Sequence, residues 1–179
     1  NYSSFLPFEK SSFHTKFVDY FFYFKSYFKC RKLKKKFNYQ SVPLKEIDDN
    51  YKYILFSANY QPEKSTSPDA GHYYNQYKIL KILNEFCLKN KNFKVLYKEH
   101  PSQFLSKRFG FMEKDEEFFK NKFNLKKIIF LNLNTSSYDA INKCKIVTTA
   151  TSETALQAVL LDKPSIIFGN VWFSRCRGV

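Results

Sequence analysis

The sequence predicts an α/β chain in which a parallel sheet carries helices on both faces, preceded by a basic, aromatic helical segment. Three observations lead there. Beyond about residue 50, short apolar runs alternate with stretches whose apolar residues recur at helical spacing. Such alternation builds a parallel sheet through crossover helices. Ahead of it, Phe13 to Tyr39 runs without Gly or Pro and interleaves aromatic with basic residues, which favours a helix. Between the two, Pro43 and the acidic Glu46-Ile47-Asp48-Asp49-Asn50 mark a boundary. Residues 1–46 then read as a helical connector or the tail of a preceding domain, and 47–179 as the sheet domain.

The elements follow in order. Tyr53 to Ser57 reads as a buried strand, and Tyr73 to Asn90 as a helix with Tyr77, Leu80 and Leu83 on one face. Phe93 to Lys98 is a second strand, stopped by Pro101. Lys114 to Phe123 is expected as a helix and Lys127 to Leu131 as the third strand. A short helix over Ser137 to Lys143 leads to a fourth strand, Lys145 to Thr149. Ser152 to Leu161 is the last helix and Pro164 to Phe168 the fifth strand.

Composition limits the function classes. At 179 residues the chain holds one domain, or one with an appendage. Its 44% hydrophobic and 20% aromatic content excludes global disorder. No run approaches the roughly 18–20 uncharged apolar residues of a transmembrane helix, and no secretory signal is visible. The chain opens on Asn1 and stops at Val179 just after an apparent strand, so it reads as a piece of a longer protein. The net charge is +14, and residues 1–46 carry 10 basic against 3 acidic side chains. Lys, Asn, Phe and Tyr all have AT-rich codons, so a low-GC genome accounts for much of this balance without functional pressure. The four cysteines (Cys30, Cys87, Cys144, Cys176) form no CxxC pair, which offers neither metal spacing nor a disulfide framework and fits a reducing cytoplasm.

In parallel sheets, ligands bind at the carboxyl ends of the strands. Here those ends lead into Ala58–His72, Glu99–Phe104, Ala150–Glu153 and Gly169–Trp172, also the most unusual segments of the chain. Lys98-Glu99-His100-Pro101 offers a cation and an imidazole to an anionic ligand; the plainer reading is a capped turn. Thr151, Ser152 and Glu153 open a helix, where hydroxyls and N–H groups seat phosphate or simply cap the helix. The long polar loop after the first strand supplies Glu63 and Asp69 as acid or base candidates, with His72 nearby. With 4 Gly in the chain there is no glycine-rich phosphate loop, and no zinc spacing.

Taken together, the ordered segments Gln61-Pro62-Glu63, Thr66-Ser67-Pro68, Gly71-His72, Lys98-Glu99-His100-Pro101-Ser102-Gln103-Phe104, Thr149-Ala150-Thr151-Ser152-Glu153-Thr154-Ala155 and Lys163 to Phe173 resemble the bacterial capsule polysaccharide biosynthesis family. That family includes GT-B-like transferases of Kdo, a sugar activated as its CMP derivative. The resemblance covers about residues 50–179. It implies a Rossmann-like domain, the donor-binding half of a GT-B glycosyltransferase, acting in capsular or surface polysaccharide synthesis. Lys98 and His100 are then donor-phosphate contacts, Thr151, Ser152 and Glu153 nucleotide contacts, and Glu63 with His100 the catalytic groups. The implied partners are a nucleotide-sugar donor and a glycan or glycolipid acceptor; because the sequence shows no metal-ligand cluster, transfer is expected to be metal-independent and to need no cofactor. The chain departs from the family pattern at Ala150, which stands where the family usually has Gly, and a side chain there narrows the backbone approach to a phosphate.

Three rival readings remain. A sibling GT-B enzyme, such as a sugar epimerase or a polyol-phosphate transferase, would share the fold. Nucleic-acid binding would use the basic-aromatic stretch from Tyr27 to Tyr39, yet no common nucleic-acid motif is present. Contact of residues 13–39 with the inner face of the cytoplasmic membrane is compatible with a cytoplasmic transferase.

Overall fold

The structure, a computed structural model, describes residues 13–61, 68–104, 121 and 124–176. Among these, α1 (Phe13–Gln40) precedes β1 (Lys52–Ser57), α2 (Tyr77–Lys89), β2 (Phe93–Lys98), β3 (Ile128–Phe130), α3 (Ser137–Lys143), β4 (Ile146–Thr149), α4 (Thr154–Leu160) and β5 (Ser165–Ile167). The helix expected over Lys114 to Phe123 lies outside the described residues, Asn121 excepted. Glu63 lies outside them too.

The five strands form one sheet in the order β3-β2-β1-β4-β5. Every pair is parallel: β1 lies between β2, with Ser57 opposite Lys98, and β4, with Ser57 opposite Thr149. The chain thus winds outward from β1 in one direction, then returns to add β4 and β5 on the other side. The point of reversal lies between β1 and β4, where loops leave in opposite directions and open a crevice at the carboxyl ends.

Helices cover both faces, as the sequence predicts. On one face α1 and α2 bring Cys30, Leu33, Phe37, Ile79, Leu80, Leu83 and Cys87 onto Ile54, Phe56, Val95, Tyr97 and Phe130. On the other, α3 and α4 bring Ala140, Ile141 and Ala158 onto Tyr53, Leu55, Leu96 and Val147. Successive strand residues alternate between these two cores because their side chains alternate across the sheet. Burial also makes two thiols poor nucleophiles, pushing Cys87 up to about 11 and Cys144 to about 12.

The second half of α1 belongs to the same core as the sheet. Cys30, Leu33 and Phe37 point inward at helical spacing. The Phe37 ring lies 5.5 Å from Phe104 and 6.0 Å from Phe130, in tilted and edge-on contacts. After the helix, Val42 N–H donates to Phe130 O at 2.8 Å, and Val42 O accepts from Asn132 N–H at 3.1 Å. The segment therefore extends the sheet by one parallel bridge to Leu131 at its β3 edge.

Two helix starts differ from expectation. α2 begins at Tyr77 rather than Tyr73, because Gly71–Tyr73 closes a 3-10 turn in which Gly71 adopts φ +51°. α4 begins at Thr154 rather than Ser152, because the Ser152 hydroxyl accepts from Thr154 N–H at 3.3 Å instead of entering the helix. No helix among the described residues is long and apolar enough to cross a membrane.

Candidate functional site

A cleft of about 390 Å³ opens at the carboxyl ends of the strands, lined by segments that follow β1, β2, β4 and β5. All four segments singled out in the sequence reach it. Asn59, Tyr60 and Asp69 come from the first, His100 from the second, Thr151 to Glu153 from the third and Val171 to Phe173 from the fourth.

The floor of the cleft is a polar knot around Asn59, a residue that the sequence pattern did not single out. Its Oδ1 accepts from Thr151 N–H at 3.1 Å and lies 3.1 Å from the Thr149 hydroxyl. Its backbone N–H donates to Gln76 Oε1 at 2.8 Å, and Gln76 Nε2 donates back to Asn59 O at 3.0 Å. One buried asparagine thus ties the end of β1 to the β4 loop and to the approach to α2. Thr149 continues the knot, its hydroxyl lying 2.9 Å from Ser57 O and accepting from Ser152 N–H at 3.1 Å. Such networks hold geometry firmly when every member is satisfied.

The β4 loop uses most of its own donors. Thr151 N–H serves Asn59, Ser152 N–H serves Thr149, and Thr154 N–H serves Ser152. This segment therefore presents hydroxyls and a shaped backbone rather than a row of open N–H groups. The Ser152 and Thr154 hydroxyls lie 2.9 Å apart, and Thr154 reaches Ser57 at 3.0 Å. Glu153 is exposed at the rim. Ala150 is fully buried in the core and is not among the residues lining the cleft, so its methyl group does not narrow it.

His100 stands where β2 gives way to a 3-10 turn at Pro101–Phe104. Its Nδ1 accepts from Ser102 N–H at 3.2 Å, which assigns the proton of the neutral ring to Nε2. The ring faces Tyr60 at 5.5 Å with a 35° tilt. The adjacent Glu99 turns the other way into the interior, accepting from the Tyr97 hydroxyl at 2.8 Å.

Lys98 is not among the cleft-lining residues. It is the last residue of β2, and alternation along the strand puts it on the α3/α4 side of the sheet, beside its register partner Ser57. Burial lowers its pKa, and the neighbouring Glu99 carboxylate partly opposes that shift. His72 is exposed, with its Nε2 3.4 Å from Lys78 Nζ, and does not line the cleft. Of the predicted site residues the structure therefore gathers His100, Thr151, Ser152 and Glu153, and sets Lys98 one step back.

The wall opposite His100 comes from the segment after β5. Gly169 N–H donates to Ala150 O at 2.8 Å and Asn170 N–H to Asp69 O at 2.9 Å. A Cβ on Gly169 would lie 2.5 Å from Thr151 Cγ2 and 2.9 Å from both Ala150 O and Ala70 Cα. Only glycine fits so close an approach. Among the described residues no three His, Cys, Asp or Glu side chains are grouped as a metal site would need.

A family model for capsule polysaccharide biosynthesis proteins matches residues 9–179. The chain belongs to that family. No curated protein matches this capsule-family chain at a significant level. Among solved structures it is similar to a β-Kdo 2,7 transferase, KpsC of Thermosulfurimonas dismutans, with a TM-score of 0.50 and 17% identity over 83% of this chain. A β-Kdo 2,4 transferase KpsC from the same organism gives a TM-score of 0.47 and 12% identity over 81%. An S. aureus MnaA–UDP complex gives 0.42 and 15% over 66%. The chain spans 43% and 45% of the two KpsC chains, and 28% of the MnaA chain, so it corresponds to less than half of each. The first likeness establishes a shared fold for the capsule-family chain.

Proposed function

We propose that the chain is the donor-binding half of a glycosyltransferase of capsular or surface polysaccharide synthesis. One observation carries the reading: His100, Thr151, Ser152 and Glu153 line one cleft at the reversal point of the sheet. Family membership supports the biosynthetic setting. The donor is a nucleotide-linked sugar, with CMP-Kdo the first candidate, and the acceptor a glycan or glycolipid.

In this reading the bond between the anomeric carbon and the donor phosphate breaks while an acceptor hydroxyl attacks the same carbon. The departing phosphate gains negative charge, and a donor aimed at that charge lowers the barrier. His100 fits this role through Nε2–H. Lys98, partly buried at the end of β2 and outside the cleft lining, is proposed to add positive charge behind the same phosphate. The acceptor proton needs a base, for which Glu63 is the proposed group. Transfer is proposed to proceed without a metal ion or other cofactor.

A thermal-shift panel of CMP, UDP, GDP and a random single-stranded oligonucleotide tests this, on the chain and on a His100→Ala variant. A ligand at about a hundred times its dissociation constant adds roughly 2.7 kcal/mol. CMP-selective stabilisation that weakens in the variant supports a CMP-sugar transferase. UDP-selective stabilisation keeps the fold and changes the donor, which opens the sibling GT-B enzymes. A shift from the oligonucleotide alone, erased by salt, overturns the transferase reading in favour of nucleic-acid binding.

A second reading concerns α1 and is compatible with the first. Opposite its buried Cys30, Leu33 and Phe37, the helix exposes Phe24, Phe28, Arg31, Lys32, Lys35 and Tyr39. Phe24 and Phe28 are in ring contact at 5.3 Å. Aromatic rings beside cations, with no acidic residue between Asp19 and Glu46, suit peripheral contact with an anionic membrane face. Sedimentation with phosphatidylglycerol vesicles, abolished by salt and absent with phosphatidylcholine, is the expected result; no sedimentation with either vesicle, or equal sedimentation with both, would overturn it.

A further inference from the structure

Trp172 is the sole tryptophan of the chain. It lines the cleft, yet 80% of its surface is exposed. What distinguishes it from the other exposed hydrophobic residues is its place, a large planar ring at the mouth of a polar cleft. The next residue shows the contrast: Phe173 is 2% exposed and anchors the segment. The two rings meet edge to face, 5.2 Å apart at 86°.

The segment that presents Trp172 is held on several sides. Asn170 N–H is bound to Asp69 O, Ser174 N–H to Val171 O at 3.0 Å and Cys176 N–H to Phe173 O at 3.0 Å. The Ser174 hydroxyl also donates to Val171 O at 2.8 Å. With the backbone on either side of it tied down, the indole is kept at the cleft mouth, so less ordering remains to be done when a flat partner settles on it. The cleft's other aromatic pair, Tyr60 and His100, already face each other at 5.5 Å, so Trp172 is the open surface.

The cleft therefore offers two kinds of chemistry. His100, Thr151 and Ser152 offer hydrogen bonds to an anion, and Trp172 offers a flat apolar face. A nucleotide asks for the same two, hydrogen-bond partners for its phosphate and a flat face for its planar base. We propose that Trp172 is the stacking platform for the nucleobase of the donor, a binding residue separate from the groups that handle the phosphate. This inference rests on the donor-binding reading above. Stacking tolerates any base, so Trp172 supplies affinity for nucleotides as a class, while choice among bases belongs to other contacts.

A single tryptophan makes the test direct, because intrinsic tryptophan fluorescence reports this side chain alone. The chain is titrated with CMP, UMP and GMP, and with ribose 5-phosphate as a base-free control, with thermal shifts measured on the same samples. The expected result is quenching by the nucleotides and none by ribose 5-phosphate. Trp172→Ala should weaken nucleotide binding about 5- to 150-fold, the span of base–aromatic stacking, while Trp172→Phe stays within a few-fold of the parent. Nucleotides that shift the melt without quenching, and bind Trp172→Ala as tightly as the parent, would overturn the stacking role and leave the donor reading standing. Equal quenching by ribose 5-phosphate would also overturn it. No response to any nucleotide by either readout would overturn both.

Discussion

Replacing Asn59 with Ala tests the polar knot that builds the cleft floor. Asn59 is 7% exposed, and its Oδ1 is the acceptor for Thr151 N–H, itself 5% exposed. The Thr149 hydroxyl keeps Ser57 O as an alternative acceptor at 2.9 Å, so its loss is cushioned. The cost is then that of one buried N–H deprived of its acceptor, about 1–3 kcal/mol. For a chain of this size that lowers the melting temperature by about 2–12 °C. Amide hydrogen exchange localises the effect: the Thr151 N–H should exchange about 5- to 150-fold faster in the variant, while amides of β2 and β3 change less. Nucleotide affinity should fall with it, because Thr151 and Ser152 lose their fixed position. An unchanged Thr151 exchange rate, with a melt within 1 °C of the parent, would refute the claim that Asn59 organises the site.

Other perturbations have equally defined outcomes. Gly169→Ala forces a Cβ against two backbone atoms and Thr151, so it should cost about 1–3 kcal/mol by overpacking and distort the cleft; a Thr151→Ser background removes the Cγ2 contact and should recover only part of the loss in a urea melt. Phe37→Ala removes a ring with no exposed surface and should cost about 3–5 kcal/mol; a melt unchanged from the parent would show that α1 does not share the sheet's core. Lys98 has a folded-state pKa below 10.5, so the unfolded chain binds more protons in the interval between the two values and Lys98 makes stability rise with pH there. Lys98→Met should be more stable than the parent at neutral pH, the advantage shrinking as pH approaches 10.5. Iodoacetamide at pH 8 should label exposed Cys176 first in the native chain, while Cys30, Cys87 and Cys144 react only after denaturation.

The sheet was legible because its strands are buried runs whose limits are set by polar or proline residues. β2 is predicted to the residue, and the other four strands to within two residues at either end. The four loops of the cleft were legible for a related reason: once a parallel sheet is established, chemistry collects where strands end. The knot beneath those loops was not. Asn59, Gln76 and Thr149 are ordinary polar residues whose partners lie 17 and 90 positions away, and no local pattern marks such pairs. The run without Gly or Pro makes α1 legible as a helix, yet nothing in its composition distinguishes Cys30, Leu33 and Phe37, which join the sheet's core, from the exposed Phe24 and Phe28. The starts of α2 and α4 slipped because Gly71 and Ser152 form local turns that compete with the helix. Lys98 and His100 are close in sequence, but Lys98 is the last residue of β2, paired in register with Ser57 inside the sheet, whereas His100 lies past the strand end where the chain turns into the cleft.

The central claim is that a nucleotide binds across the cleft at the reversal point of the sheet. Amide chemical-shift mapping of the chain during a CMP titration tests it most directly. The account predicts that the shifted amides cluster at Asn59, His100, Thr151 to Glu153 and Trp172, with α1 unmoved. Shifts confined to the lysine-rich outer face of α1, with the cleft unmoved at saturation, would contradict it.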